Sequence, residues 1–222
     1  MPKLDQFLFA AALGGALFAT APASADQPSM HADVHRLEAE WARVKYQVKD
    51  EGEQLTEIES LKKQADAVVR QYPGQAEPLL WDGIVTSENA ALANIFQQLG
   101  LAKEARGLFE RALAIDPSGL NGAISMSLGV LYYRVPGSPL GFGDDDMARK
   151  DLETALAKDP NGLDANYFYG DFLVEQGEYD KARNVLVHAL DAPVDKERPV
   201  WDAGRREEVR QLIAKAEAHV RS

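Results

Sequence analysis

The chain has 222 residues, of which 45% are hydrophobic and 27% charged, enough to bury one sizeable core or a compact array. Its formal net charge of -11, with no basic stripe to offset it, argues against nucleic acid or an anionic membrane surface as partner. The absence of cysteine excludes disulfides, thiol catalysis and the acylation site of a lipoprotein.

The first element is a targeting segment. Lys3 precedes an unbroken apolar run from Phe7 to Ala19, and "TAPASA" closes it with small residues. Ala23-Ser24-Ala25 fits the A-x-A pattern of signal peptidase, so residues 1–25 read as a signal peptide cleaved after Ala25. The run falls short of the roughly 20 residues that a permanent membrane span needs. The expected location is the bacterial periplasm, or secretion beyond it, with no stable membrane insertion after cleavage.

Helical spacing follows almost without interruption. Val34, Leu37, Trp41, Val44 and Val48 recur every three or four residues, and Leu55, Ile58, Leu61, Ala65, Val68 and Tyr72 do the same. "YPGQAEP" then breaks the chain, so residues 26–75 read as an N-terminal helical hairpin. Trp81 to Phe96 forms a third, longer stretch that Leu99-Gly100 is expected to end. No segment sustains the period-two alternation of a strand, so the fold class is all-α.

Further on, the chain repeats itself. "ERALAIDPSGLNGA" from Glu110 returns as "ETALAKDPNGLDAN" from Glu153, with Ala-Leu-Ala, Asp-Pro and Gly-Leu at the same offsets. Ala105 and Ala112, Ala148 and Ala155, and Ala182 and Ala189 form three pairs one heptad apart, where small residues let a neighbouring helix approach. Asp-Pro ends each helix, because proline disfavours α conformation in the residue before it. The Gly-Leu after it is expected to open the next helix.

The spacing of Gly170, Gly177, Tyr179, Ala182, Ala189 and Pro193 in "ANYFYGDFLVEQGEYDKARNVLVHALDAP" resembles a tetratricopeptide repeat. That resemblance implies a helical-hairpin solenoid with a concave groove over residues 76–193. It also assigns Gly170 to the packed helix face and Gly177 to the turn. "NIFQQLGLAKEARGLFERALAIDP" reads as another copy, with Ala93 at the small position, Gly100 as the turn and a first helix reaching back to about Pro78. A third copy is interrupted by an inserted loop at about residues 135–143. Residues 194–222 read as a C-terminal capping helix with Val209, Leu212, Ile213, Ala216 and Val220 facing inward.

The insert is the feature that the repeat does not explain. In "YYRVPGSPLGFGDDD", Asp144 to Asp146 suit a helix start better than a calcium loop, whose ligands alternate along a longer turn. Tyr132, Tyr133, Arg134 and Phe142, with Tyr167 and Tyr169 from the next helix, are the expected recognition surface. Aromatic residues and arginine commonly dominate binding free energy. Arg134 suits either a ligand carboxylate or a nearby aspartate. Tyr-Tyr-Arg-x-Pro-Gly, Phe-Gly-Asp and Asn-Tyr-Phe-Tyr-Gly-Asp are also similar to the T-component proteins associated with TRAP transporters. That similarity implies a periplasmic partner protein, namely a solute-binding component.

Catalysis is not expected. G-x-S-x-G and H-E-x-x-H are absent, and Gly141-Phe142-Gly143 follows no strand. His31 and His35 lie one turn apart without a third ligand, which reads as the frayed start of the mature chain; no metal or cofactor is expected. Two readings remain: an adaptor for another protein, or a binder of a small anionic ligand in the groove and under the insert.

Overall fold

The computed structural model describes residues 27–220; the expected signal peptide and its cleavage site lie outside the described residues. Among the described residues there are nine helices and no strand. They are α1 (Gln27–Gln47), α2 (Glu51–Gln71), α3 (Ala76–Leu92), α4 (Ile95–Ile115), α5 (Ala123–Arg134), α6 (Asp145–Lys158), α7 (Leu163–Glu175), α8 (Tyr179–Ala189) and α9 (Pro199–Val220). The fold class is all-α.

Local chemistry sets most of these boundaries. Asp50 Oδ1 accepts from Glu53 N at 2.9 Å and Asp144 Oδ1 from Met147 N at 2.9 Å, each satisfying a donor that a helix start leaves open. Asp116 and Asp159, each before a proline, stand in non-helical conformation at the ends of α4 and α6. The Gly-Leu reading holds for α7, which begins at Leu163. It fails for α5, because residues 119–122 all adopt positive φ and delay the helix to Ala123.

Small residues fix how the hairpins close. A Cβ on Gly83 would lie 2.3 Å from the Phe109 ring, on Gly129 2.8 Å from Leu152, and on Gly170 2.5 Å from Leu186. The pairs α3/α4, α5/α6 and α7/α8 therefore share one register. Ala105, Ala148 and Ala182 are fully buried on the second helix of each pair. This register overturns the reading of Ala93 and Gly100. Ala93 is the C-cap of α3, and Gly100 lies inside α4 rather than at a turn. In α3/α4 the extra residues lengthen both helices and carry the turn outward; in α5/α6 they form the insert between the two helices.

The first helices of the pairs make up the inner wall, where α1 touches α3, α3 touches α5, α5 touches α7 and α7 touches α9. Helix α9 also packs on α1, so the wall closes on itself. One core cluster accordingly joins Trp41, Ile58 and Val85 to Leu173, Leu186 and Trp201. The open concave groove expected from a solenoid is closed here. Val209 and Ala216 of α9 are buried as expected, but Val220 is 48% exposed, because it lies at the last turn beyond the packed face. Among the described residues no helix is long and apolar enough to cross a membrane.

Candidate functional site

The insert leaves α5 at Val135 and folds back on itself. Gly143 N donates to Pro136 O at 2.9 Å and Asp144 N to Tyr132 O at 2.9 Å. At Gly143 a side chain is impossible, since a Cβ would lie 1.9 Å from the carbonyl oxygen of Val135. Phe142 meets Tyr132 edge-on with ring centroids 6.1 Å apart, and the Arg106 guanidinium lies 4.3 Å from the Phe142 centroid. Phe142 thus fastens the loop to α4, while Leu140 at its tip is 74% exposed.

Arg134 ends α5 and pairs with Asp171 of α7, and the guanidinium carbon stands 4.9 Å from the Tyr133 centroid. Tyr133 Oη donates to the same Asp171 oxygen at 2.6 Å. Burial pushes the Tyr133 phenol well above its ordinary pKa and the Asp171 charge adds to this, so it remains a donor. Asp171 is almost fully buried and Arg134 half exposed, leaving part of the guanidinium in solvent. Of the two roles open to Arg134, the aspartate pair is the one observed.

Tyr167 and Tyr169 diverge. Tyr167 packs edge-on against Phe168 at 4.8 Å and lies under Arg205 of α9, whose guanidinium carbon is 4.1 Å from its centroid. Tyr169 turns back to α6, where its hydroxyl donates to Glu153 Oε1 at 3.1 Å. Tyr132 thus joins Phe142 under the insert, and Tyr133 and Arg134 meet at Asp171, whose charge also reaches Tyr167 beside Arg205. Tyr169 packs with Tyr132 and Tyr133 around Leu152 and Phe172.

Arg205 escaped sequence reasoning. It is 3% exposed and stands 2.6 Å from both Asp164 and Glu208. Burial opposes its charge, and Asp164, Tyr46 and Glu208 more than offset that, so it stays ionised. The only sequence signal was an arginine beside Gly204 within an amphipathic pattern. Near the start of α1, His31 Nδ1 lies 2.8 Å from Glu77 Oε2, between buried Met30 and Val34. The frayed start expected there is instead packed helix. Among the described residues no group of three His, Cys, Asp or Glu side chains is arranged to hold a metal.

A tetratricopeptide-repeat family model matches residues 140–206. TTC0263, a thermophilic tetratricopeptide protein of Thermus thermophilus, has a similar structure at 15% identity and a TM-score of 0.57, covering 86% of this chain and 92% of that one. The fold is a tetratricopeptide-type helical solenoid. Weaker likenesses to this solenoid include MamA, at 17% identity and a TM-score of 0.42, covering 78% of this chain and 96% of that one. YrrB, a tetratricopeptide protein with an unusual peptide-binding site, has 19% identity and a TM-score of 0.41, covering 75% of this chain and 80% of that one. No curated protein sequence matches the chain.

Proposed function

We propose that this solenoid is an exported, non-catalytic adaptor that binds another protein through the end carrying the insert. The observation that carries this reading is the exposure of large apolar side chains at that end. Phe96 is 93%, Leu140 74% and Ile95 72% exposed. All three sit at connections within hairpins, and such connections share one end of the array. Single exposed apolar residues are ordinary, but adjacent ones on a projecting turn suit a partner contact. The closed inner wall supports this placement, since its aromatic and charged residues already bind one another. A small anion at Arg134 is the weaker reading, because Asp171 neutralises that charge.

The apolar leader and the insert motifs support a finer assignment. The chain is a periplasmic accessory of the T-component kind, and its partner is a transporter's solute-binding protein. Affinity capture from periplasm with the wild-type chain should recover a solute-binding protein. A Phe96→Ser, Leu140→Ser double variant should lower that capture at least about tenfold while leaving the thermal melt unchanged. Capture undiminished by the double change would sink the surface assignment. Recovery of a different class of protein would sink the transporter assignment alone.

A further inference from the structure

Ile95 and Phe96 open α4 at the turn that closes the α3/α4 pair, and they are 72% and 93% exposed. From Asn89 to Ala102 the chain carries no charge. That neutrality departs from the pattern of the other second helices, which start at the same end of the array. Helix α2 has Glu51 and Glu53 in its first turn, α6 has Asp145 and Asp146, and α8 has Asp180. Acids are favoured there by the partial positive charge of a helix start. Helix α4 has none and shows solvent two large apolar side chains instead, so helix stability does not account for its first turn.

The acids decide what this tip can meet. From their shared turn at residues 72–75, α2 and α3 extend 21 and 17 residues towards the insert end, which brings Glu51 and Glu53 near the level of Ile95 and Phe96. Glu51, Glu53, Asp145, Asp146 and Asp180 are exposed and make no side-chain hydrogen bond or ion pair among the described residues. Asp50 and Asp144 are exposed as well, each with one oxygen on a backbone donor. Of the bases at this end, Arg134, Arg149, Lys181 and Lys215 are each paired with an acid, and Lys49 donates to the Tyr46 carbonyl. Unpaired Lys103 and Lys150 lie further along α4 and α6. The rim around the neutral apolar tip is therefore acidic. A second copy of the chain would set the same acids against them, and an anionic membrane would be repelled. We propose that the α3–α4 tip docks a protein that presents lysine or arginine side chains around an apolar pocket. Ile95 and Phe96 fill the pocket, and the bases face the acidic rim. This rests on the partner surface proposed above and gives that partner its chemistry.

The test is fluorescence titration of the full chain with a labelled amphipathic helix of leucine and lysine, and with its counterpart in which glutamate replaces lysine. The lysine peptide should bind with Kd below about 100 μM at low salt and weaken about tenfold at about 0.2 M salt; the glutamate peptide should not bind. Phe96→Ser, which changes no charge, should weaken the lysine peptide about tenfold. Glu51→Gln with Glu53→Gln should weaken it severalfold and reduce its salt dependence. Asp191→Asn, at the opposite end, should leave it unchanged. All four side chains are exposed, and a thermal melt should show each variant folded. Silence of the lysine peptide to about 1 mM overturns the proposal. Binding that ignores Phe96→Ser overturns it together with the partner surface. Binding that falls with Phe96→Ser but ignores the Glu51 and Glu53 changes overturns the cationic chemistry alone and leaves the surface standing. Self-association in sedimentation that is lost in Phe96→Ser would give the tip to a second copy. Flotation with phosphatidylglycerol vesicles that depends on Phe96 would give it to a membrane, and either result overturns the proposal.

Discussion

Asp82 and Asp171 are both buried acids, yet their surroundings make them behave differently. Asp171 has Arg134 and the Tyr133 hydroxyl, whereas Asp82 has one long hydrogen bond. The folded state raises the Asp82 pKa from 3.8 to about 7, so between those values it holds a proton that the unfolded chain releases. Stability from this group is complete below about pH 4 and is lost as pH rises through about 7. Asp82→Asn should therefore flatten the fall in melting temperature over that window and stabilise the chain by on the order of 2 kcal/mol at about pH 8. A variant that melts in parallel with the wild type across the window would show that Asp82 is already ionised in the fold. Arg134→Ala acts in the other direction, leaving Asp171 buried with only the Tyr133 hydroxyl. Its cost should be about 1–2 kcal/mol, less than for a fully buried pair because the guanidinium is half exposed. Chemical denaturation measures it, and an unchanged midpoint would mean that solvent replaces the guanidinium. The sequence displayed Arg134 beside two tyrosines, but Asp171 lies one helix pair away, and no local pattern could choose it over a ligand.

At the scale of elements, the alanine heptads and the Asp-Pro stops were legible because each acts within a few residues of its own position. Ala112, Ala155 and Ala189 are 0%, 2% and 0% exposed. Beside Ala155, a Cβ on Gly122 would come within 3.0 Å of the Ala155 Cα, so the α5 entry turn already occupies the space a larger side chain needs. Ala155→Leu should cost about 1–3 kcal/mol by overpacking and lower the melting temperature; an unchanged melt would place Ala155 at a looser contact. The α3/α4 pair was misread for a physical reason. Ala93 and Gly100 imitate the offsets of a short repeat, while the residue that admits the partner helix is Gly83, against Phe109. Helix length depends on where the partner side chain arrives, and that contact spans the whole hairpin. The sequence also left unread how α9 is attached. Arg206 donates to the carbonyls of Leu190 and Ala192 at 3.0 and 2.8 Å, occupying acceptors beyond the end of α8 while pairing with buried Asp202.

Across the whole molecule, closure of the inner wall changes how stability is distributed. An open solenoid is stabilised by nearest neighbours alone and leaves its terminal repeats half-covered. Here α1 and α9 cover each other. The Tyr46 ring lies over Gly204, where a Cβ would come within 2.4 Å of it, and its hydroxyl donates to Glu208 Oε2 at 3.1 Å. Arg198 of the α8–α9 link adds an ion pair to Glu38 of α1 at 2.6 Å. The helical period at both ends was readable in the sequence, but the contact between them depends on curvature accumulated over every intervening pair. Gly204→Val should displace the Tyr46 ring and open this seam at a cost of about 1–3 kcal/mol. Because α5 and α6 pack on neither α1 nor α9, hydrogen exchange should quicken in α1 and α9 while their protection persists. Uniform loss of protection would mean that closure is coupled to the entire array. Unchanged exchange at the termini would mean that the seam contributes nothing and that the solenoid is held, like an open one, by its successive neighbours.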